Sequence, residues 1–165
     1  MRRITVDKCA LARRFSRSMA TYESMAVVQR GMAAELIDGL LSVSGTDRFE
    51  RVLELGCGTG LLTRRLMESC RLSHLILNDL VPDCERTARL FRGRESDVSV
   101  RFLQGDMEAV EFPGEQDLIV SSAVLQWAGD LRALLKRLVG RLRPGGVLAM
   151  ASFGPSNLRE VSQLT

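Results

Sequence analysis

The spacing of hydrophobic residues changes near residue 46, and this change divides the chain into two parts. Residues 7–18 predict a short helix and residues 21–42 predict one or two more, before a polar loop over 42–47. In the second stretch the apolar side chains recur at helical spacing: Met32, Leu36, Ile37, Leu40 and Leu41. We therefore expect an N-terminal helical segment over 1–46 and a second domain over 47–165.

The second part alternates between short apolar runs and amphipathic stretches. The runs predict strands over 51–55, 74–77, 99–103, 118–121 and 147–153. The amphipathic stretches predict helices over 59–69, 81–91 and 131–142, and residues 144–146 predict a turn. Such alternation is typical of a mostly parallel sheet covered on both faces, the Rossmann-like, doubly wound α/β class. Ligands of these sheets bind beyond the carboxyl ends of the strands.

Composition fits an ordinary globular protein. Of the 165 residues, 45% are hydrophobic and 26% are charged, and no apolar run is long enough to cross a bilayer. No signal-peptide core follows the first residues. The four cysteines show no C-x-x-C spacing, so we expect no metal site and no disulfide framework: Cys9, Cys57, Cys70 and Cys84. This cysteine usage predicts a cytoplasmic protein, and the short apolar runs predict no membrane partner.

Positive charge is concentrated at the N-terminus. The chain carries a net charge of +3, but six basic residues and one acid lie within residues 1–17, which leaves the remainder net negative. The main body is therefore not expected to bind nucleic acid. Two interpretations of the basic segment stay open: a solvated helix face, or a docking site for an acidic partner.

A glycine-rich loop carries the strongest chemical signal. Three alternating glycines over residues 56–60 connect a buried strand to a helix, and Glu54 precedes them by two residues. Glycine permits positive φ and close approach of a ligand to the backbone. The nicotinamide fingerprint is G-x-G-x-x-G, whereas this loop is G-x-G-x-G, so a nicotinamide oxidoreductase is disfavoured.

Acidic residues follow the next two predicted strands. Asp79 lies just past the second strand, where an acid can accept hydrogen bonds from both hydroxyls of a ribose. Asp106 and Met107 directly follow the third strand. The alternative for Asp79 is a helix cap or loop residue, and for Asp106 an ordinary turn.

The end of the fourth strand is expected to face a substrate. The apolar run continues there through residues 121–127 and ends on Trp127, the single tryptophan, which is either a core residue or a wall of the substrate site. His74, the single histidine, lies near a strand start and is interpreted as structural.

The glycine loop and its preceding acid resemble motif I of the class I S-adenosylmethionine (SAM)-dependent methyltransferases. The resemblance implies SAM as the cofactor, with Asp106 accepting a hydrogen bond from the adenine amino group and Phe102 or Met107 packing on the ring. It implies a cofactor site of eleven residues: Glu54, Gly56, Cys57, Gly58, Gly60, Asn78, Asp79, Leu80, Asp106, Met107 and Ser121.

A narrower resemblance covers residues 8–160. Segments 14–17, 20–22, 26–29, 121–127 and 152–155 are similar to the malonyl-[acyl-carrier-protein] O-methyltransferases of biotin synthesis. The reaction implied is methyl transfer from SAM to the free carboxylate of malonyl carried on acyl carrier protein. Two alternatives stay open: a methyltransferase of another small molecule, such as trans-aconitate or a quinone precursor, and a non-catalytic SAM-binding module.

That reaction implies positioning groups rather than an acid–base pair, because a carboxylate is already ionised at neutral pH. The candidates are Tyr22, Gln126 and Trp127. One arginine is expected to pair with the carboxylate, and the candidates for it are Arg13, Arg14 and Arg17. Members of this class have seven strands, so five strands predict a chain truncated at its C-terminus, without part of the substrate cap, or an unusually short protein completed by another chain. Segment 1–46 is expected on the cap or substrate side.

Overall fold

A computed structural model describes residues 7–92 and 97–154, with the side chains of residues 20–25 left outside the description. The helices are α1 (Lys8–Met25), α2 (Val27–Ser44), α3 (Leu61–Ser69), α4 (Glu85–Phe91) and α5 (Leu131–Val139). The strands are β1 (Arg48–Leu55), β2 (Arg71–Asp79), β3 (Ser99–Gln104), β4 (Gln116–Ser122) and β5 (Leu142–Ala151). Two short 3-10 helices, Pro82–Cys84 and Leu125–Trp127, precede α4 and follow β4.

The five strands form one sheet in the order β3-β2-β1-β4-β5, and all four pairings are parallel. Because β2 lies on one side of β1 and β4 lies on the other, the loops after β1 and β4 diverge and leave a crevice. The predicted α/β class and the five strands are confirmed.

Apolar side chains cover both faces of the sheet. On one face α2, α3 and α4 contribute to a core that includes Ile37, Leu66 and Phe91. On the other face α5 supplies Leu134 and Leu138, which pack with Leu53, Ile119, Met107 and Phe112. Burial on both faces explains why the central strands are continuous apolar runs, and it confirms the doubly wound arrangement.

The structure corrects the predicted boundary between α5 and β5. The helix ends at Val139 and β5 begins at Leu142, so residues 144–146 lie inside the strand rather than in a turn before it. The pairing of β4 with β5 shifts register between Gln116 and Leu118, and a Cβ at Gly146 would lie 2.8 Å from the Gln116 carbonyl. Gly145 and Gly146 therefore permit an irregular start of β5 that passes close to β4.

The end of β4 also differs from the prediction. The strand stops at Ser122, and residues 125–127 form a 3-10 helix instead of an extended run. Ala123 has a φ of 57°, which breaks the strand geometry, although its N–H still donates to the Ala151 carbonyl at 2.9 Å. A non-glycine residue in this conformation at a strand end is frequent near functional sites.

The N-terminal helices are longer than predicted. α1 continues to Met25, and the buried residue Ala26 separates it from α2. α2 buries Ala33, Ile37 and Leu40 in the core. The division into segments 1–46 and 47–165 stays a prediction. None of the helices in the described residues is both long and apolar enough to cross a membrane.

Candidate functional site

A cavity lies beyond the carboxyl ends of the central strands and beneath α1. It encloses about 1080 Å³ of empty space, which includes its open mouth. Its lining comes from the loops after β1, β2, β3 and β4, from one face of α1 and from residues of α2 and α3. The side chains from α1 are Lys8, Leu11, Ala12, Phe15, Ser18 and Met19.

The glycine loop forms one wall of this cavity. The N–H groups of Gly56 and Cys57 both donate to the Asn78 carbonyl, at 2.8 and 3.0 Å, so the loop is tied to the end of β2. Gly58 has a φ of 49°, and a Cβ built on it would meet no atom within 4 Å. Gly56 differs, because its Cβ would lie 2.3 Å from the Val124 side chain. The loop therefore needs Gly56 for packing, while Gly58 leaves open space for a ligand.

Asp79 is anchored at the end of β2 by backbone hydrogen bonds. Its two carboxylate oxygens accept from the N–H groups of Gly58 at 2.8 Å and Val81 at 2.9 Å. Burial raises the pKa of this carboxyl, and these backbone hydrogen bonds and the Cys84 thiol oppose the rise. Asp79 thus links the glycine loop to the turn after β2 and places acceptor oxygens at the cavity wall.

Glu54 lies fully buried in β1 and also lines the cavity. Burial raises its pKa to about 8, and the nearby charge of Asp79 adds to the rise. The Thr63 hydroxyl donates to a Glu54 carboxylate oxygen at 2.8 Å and partly opposes the shift. A protonated Glu54 can itself donate a hydrogen bond into the site.

Two cysteines lie beside these acids. Cys57 and Cys84 are buried and both line the cavity. A hydrogen bond with Cys84 raises the pKa of the Cys57 thiol, and burial and the charges of Glu54 and Asp79 raise it further. Cys57 is therefore a neutral, weakly nucleophilic thiol.

Asp106, which follows β3, is in contact with Lys8 of α1. The Lys8 ammonium donates to Asp106 at 3.2 Å and to Glu108 at 2.8 Å. Burial of Glu108 disfavours its charge, but hydrogen bonds from Lys8 and from the N–H groups of Gly129 and Asp130 outweigh that effect and lower its pKa to about 2. Lys8 therefore fastens the first turn of α1 to the segment expected to contact an adenine.

The β4 side of the cavity holds polar atoms that lack a partner. Ser122 and Trp127 both line the cavity, and the Ser122 hydroxyl and the Trp127 indole nitrogen are buried without a hydrogen-bond partner in the described residues. The Thr59 hydroxyl on the glycine loop is likewise buried without a hydrogen-bond partner among the described residues. The Trp127 ring packs edge-on against Phe15 of α1, with the centroids 6.0 Å apart. A buried donor without a partner is costly, which favours a ligand that completes these groups.

The cavity brings together nine of the eleven predicted cofactor residues: Glu54, Gly56, Cys57, Gly58, Asn78, Asp79, Leu80, Asp106 and Met107. Gly60 caps α3 outside the lining, where a Cβ would lie 2.8 Å from Thr87. The Ser121 hydroxyl donates to the Leu55 carbonyl at 3.2 Å, and the adjacent Ser122 lines the cavity. The role predicted for each of these residues stays a prediction.

The residues predicted to position the substrate do not lie together at the cavity. Trp127 lines the cavity, whereas Gln126 is exposed and outside the lining, and its amide donates to the Ala123 carbonyl at 2.7 Å. Tyr22 falls in α1, but its side chain lies outside the described residues. The three arginine candidates are exposed and do not line the cavity: Arg13, Arg14 and Arg17. Phe102 is also outside the lining, and His74 is exposed near the amino end of β2.

The sequence analysis expected the N-terminal helices near the substrate but missed the α1 side chains that line the cavity. No local signal marks Lys8 or Phe15, because their partners Glu108 and Trp127 lie about one hundred residues away. Thr59 and Ser122 were also missed, although each lies next to a predicted site residue. A search for hydroxyl groups beside the strand ends would have found both.

Residues 52–146 match the family model described as "Methyltransferase domain". The chain is 41% identical over 159 residues to the malonyl-[acyl-carrier protein] O-methyltransferase of Chlorobium phaeovibrioides, covering 96% of this chain and 61% of that protein. It is 40% identical to the enzyme of the same name from a Paenibacillus species, covering 94% of this chain and 59% of that protein. This chain thus spans about three fifths of the length of these relatives.

Solved structures share the fold. The N-methyltransferase NodS of Bradyrhizobium japonicum, solved in complex with S-adenosyl-L-homocysteine, superposes with a TM-score of 0.65 at 25% identity, covering 84% of this chain and 71% of that one. An S-adenosylmethionine-dependent methyltransferase of Clostridium acetobutylicum gives a TM-score of 0.70 at 21% identity, covering 89% of this chain and 61% of that one. At that identity the second likeness concerns the fold alone.

Proposed function

Since the chain belongs to the methyltransferase domain family, we propose that it binds SAM and forms the cofactor-binding part of a SAM-dependent methyltransferase. The observation that carries the proposal is the convergence of the glycine loop, Asp79 and Asp106 on one cavity at three neighbouring strand ends. A nucleoside needs such a set, with acceptors for its ribose hydroxyls and its exocyclic amine.

The residues present fit this cofactor. Gly58 leaves open space where a side chain would project, and the Thr59 hydroxyl is buried without a hydrogen-bond partner among the described residues. Asp79 is held by two backbone N–H groups, so its remaining lone pairs point from a fixed position. When bound, the cofactor would supply an electrophilic methyl group. The protein's part is to orient both reactants and exclude water.

The finer proposal is that the methyl acceptor is the carboxylate of malonyl on acyl carrier protein. It is supported by relatives of that name at 36–41% identity over nearly the whole chain. The product ester would lack the charge of the free acid, as a precursor extended by fatty-acid enzymes requires. Biotin synthesis in the cytoplasm belongs to the same proposal, and so does the exposed arginine set of α1 as the contact for an acidic carrier.

Calorimetry with SAM and with NADH tests the first proposal. We expect SAM to bind and NADH not to bind, and tighter binding of NADH would overturn the assignment. Mass spectrometry of malonyl-acyl carrier protein incubated with SAM and the chain tests the second, because esterification adds one methyl group. Binding without product would identify the chain as a cofactor-binding module that needs further residues for catalysis.

A further inference from the structure

The charged and polar groups of the cavity are unequally distributed. The acids Glu54, Asp79 and Asp106 line the part formed by β1, β2 and β3. On the β4 side the cavity is lined by Ser122, Ala123, Val124 and Trp127, none of which is charged. Asp79 and Asp106 repel a ligand carboxylate, and the Lys8 ammonium in the lining is already paired with Asp106 and Glu108. The uncharged β4 side is therefore the favourable position for a ligand carboxylate.

Two side chains on that side carry hydrogen-bond donors. The Trp127 indole nitrogen can only donate a hydrogen bond, and the Ser122 hydroxyl can donate one. Both atoms are buried, and neither has a partner in the part of the chain that the structure describes. Because the indole N–H cannot accept, its partner must carry lone pairs, which favours a carboxylate and disfavours a protonated amine.

Both groups are held in place. The Trp127 ring packs against Phe15, and its backbone N–H donates to the Val124 carbonyl at 3.0 Å. Ser122 pairs with Ala151 in the sheet, at the last position of β4. A pair of donors on fixed backbone loses little conformational freedom on binding.

We propose that the Ser122 hydroxyl and the Trp127 indole N–H together bind the carboxylate of the methyl acceptor. This inference rests on the proposed function, and it restricts the substrate class to carboxylic acids that are methylated on oxygen. Thr59, whose hydroxyl lies on the glycine loop and has no hydrogen-bond partner among the described residues, is assigned to the cofactor instead.

The chain contains one tryptophan, so its indole N–H gives a single resonance in a ¹⁵N-labelled sample. The experiment saturates the chain with S-adenosylhomocysteine and then adds malonyl-CoA, with acetyl-CoA as the matched probe that lacks the carboxylate. We expect the indole proton to shift downfield with malonyl-CoA and to stay unmoved with acetyl-CoA.

Two variants separate a binding role from a structural one. We expect Ser122→Ala to weaken malonyl-CoA binding roughly 10- to 100-fold, as for the loss of a hydrogen bond to a charged group, with unchanged affinity for S-adenosylhomocysteine. Trp127→Phe retains the ring against Phe15, removes the donor and is expected to act alike. Ser99→Ala, an exposed hydroxyl at the start of β3, is the control and should change neither affinity.

An indole resonance that moves fully with S-adenosylhomocysteine alone would assign the donor to the cofactor and overturn the inference. Absence of any response to malonyl-CoA in the saturated chain would overturn it as well. In both cases the proposed cofactor binding survives. Failure of S-adenosylhomocysteine to bind at all would instead refute the proposed function.

Discussion

The Lys8 ammonium lies 2.8 Å from a carboxylate oxygen of Glu108, a residue one hundred positions further along the chain. The pair joins the first turn of α1 to the segment that follows β3, and Lys8 also contacts Asp106 at 3.2 Å. Both Lys8 and Asp106 line the cavity. This contact holds α1 over the site, so its removal is expected to loosen the cover of the cavity.

We expect Lys8→Met to lower the free energy of unfolding by about 1–3 kcal/mol, between the values typical of exposed and buried ion pairs. The pKa of Glu108, lowered to about 2, should return toward its ordinary value of 4.5. Urea unfolding measures the first effect, and a carboxyl NMR titration measures the second. Lys136→Met, at an exposed position of α5, is the control. An unmoved Glu108 titration would contradict the ion pair.

Glu54 makes stability depend on pH. Its pKa is about 8 in the folded chain and 4.5 ordinarily, so between these values the folded chain binds more protons than the unfolded chain. Its contribution to stability is therefore fully present below pH 4.5 and declines as pH rises toward 8, by at most about 1.4 kcal/mol per pH unit. In Glu54→Gln this component should vanish. Urea unfolding at several pH values provides the comparison, with the exposed Glu68→Gln as control. Identical pH profiles for Glu54→Gln and the wild type would refute a protonated Glu54.

Asp79→Ala is expected to weaken SAM binding by about 1–3 kcal/mol, because the ribose loses a charged acceptor. The change also frees the N–H groups of Gly58 and Val81, so Asp79→Asn is the milder companion. Glu85→Gln, just past the same turn, is the control and should leave affinity unchanged. Calorimetry reports the affinities. Unaltered binding in Asp79→Ala would remove this residue from the cofactor site.

Gly58→Val is expected to abolish SAM binding while preserving much of the fold, because a branched side chain would fill the open space in the cavity. The φ of 49° adds a cost to stability of about 1–2 kcal/mol. Gly31→Ala in α2, where a Cβ also meets nothing within 4 Å, should be stabilising by about 0.5–1 kcal/mol. Thermal unfolding with and without SAM tests both. Protection of Gly58→Val by SAM equal to that of the wild type would show that this loop does not cradle the cofactor.

Reversal of Arg13 and Arg17 to Glu is expected to weaken binding of malonyl-acyl carrier protein, with a slower on-rate and a flatter salt dependence. The two exposed residues are four apart and share one face of α1. SAM binding should not change. Surface plasmon resonance at several salt concentrations measures the rates, and Arg132→Glu on α5 is the matched charge reversal. An equal loss of binding with malonyl-CoA would show that the arginines contact the substrate carboxylate. No loss with either ligand would identify a solvated basic helix face.

Local patterns were sufficient for much of the fold and for the acid-and-glycine side of the cavity. A run of buried apolar residues followed by a glycine or an acid marks the end of a strand. Gly58, Asp79 and Asp106 could therefore each be predicted from the sequence as cavity-lining residues at a strand end. The parallel sheet then brings them together, because every strand presents its carboxyl end at the same edge. The irregular start of β5 was missed, because Gly145 and Gly146 also suit a turn, and only the contact of Gly146 with Gln116 distinguishes a strand from a turn.

Side-chain direction and distant partners were decided by the tertiary structure. Ser121 and Ser122 are equivalent in a sequence pattern, but the pleat directs the Ser121 hydroxyl to the Leu55 carbonyl. The Ser122 hydroxyl is buried, and no residue that the structure describes gives it a hydrogen bond, although Ser122 lines the cavity. Lys8 and Glu108, like Phe15 and Trp127, meet only because α1 folds back across the strand ends. Which elements form, and where the polar residues of the site are concentrated, followed from short-range patterns in the sequence. Which side chains face the cavity depended on packing between residues far apart in the chain.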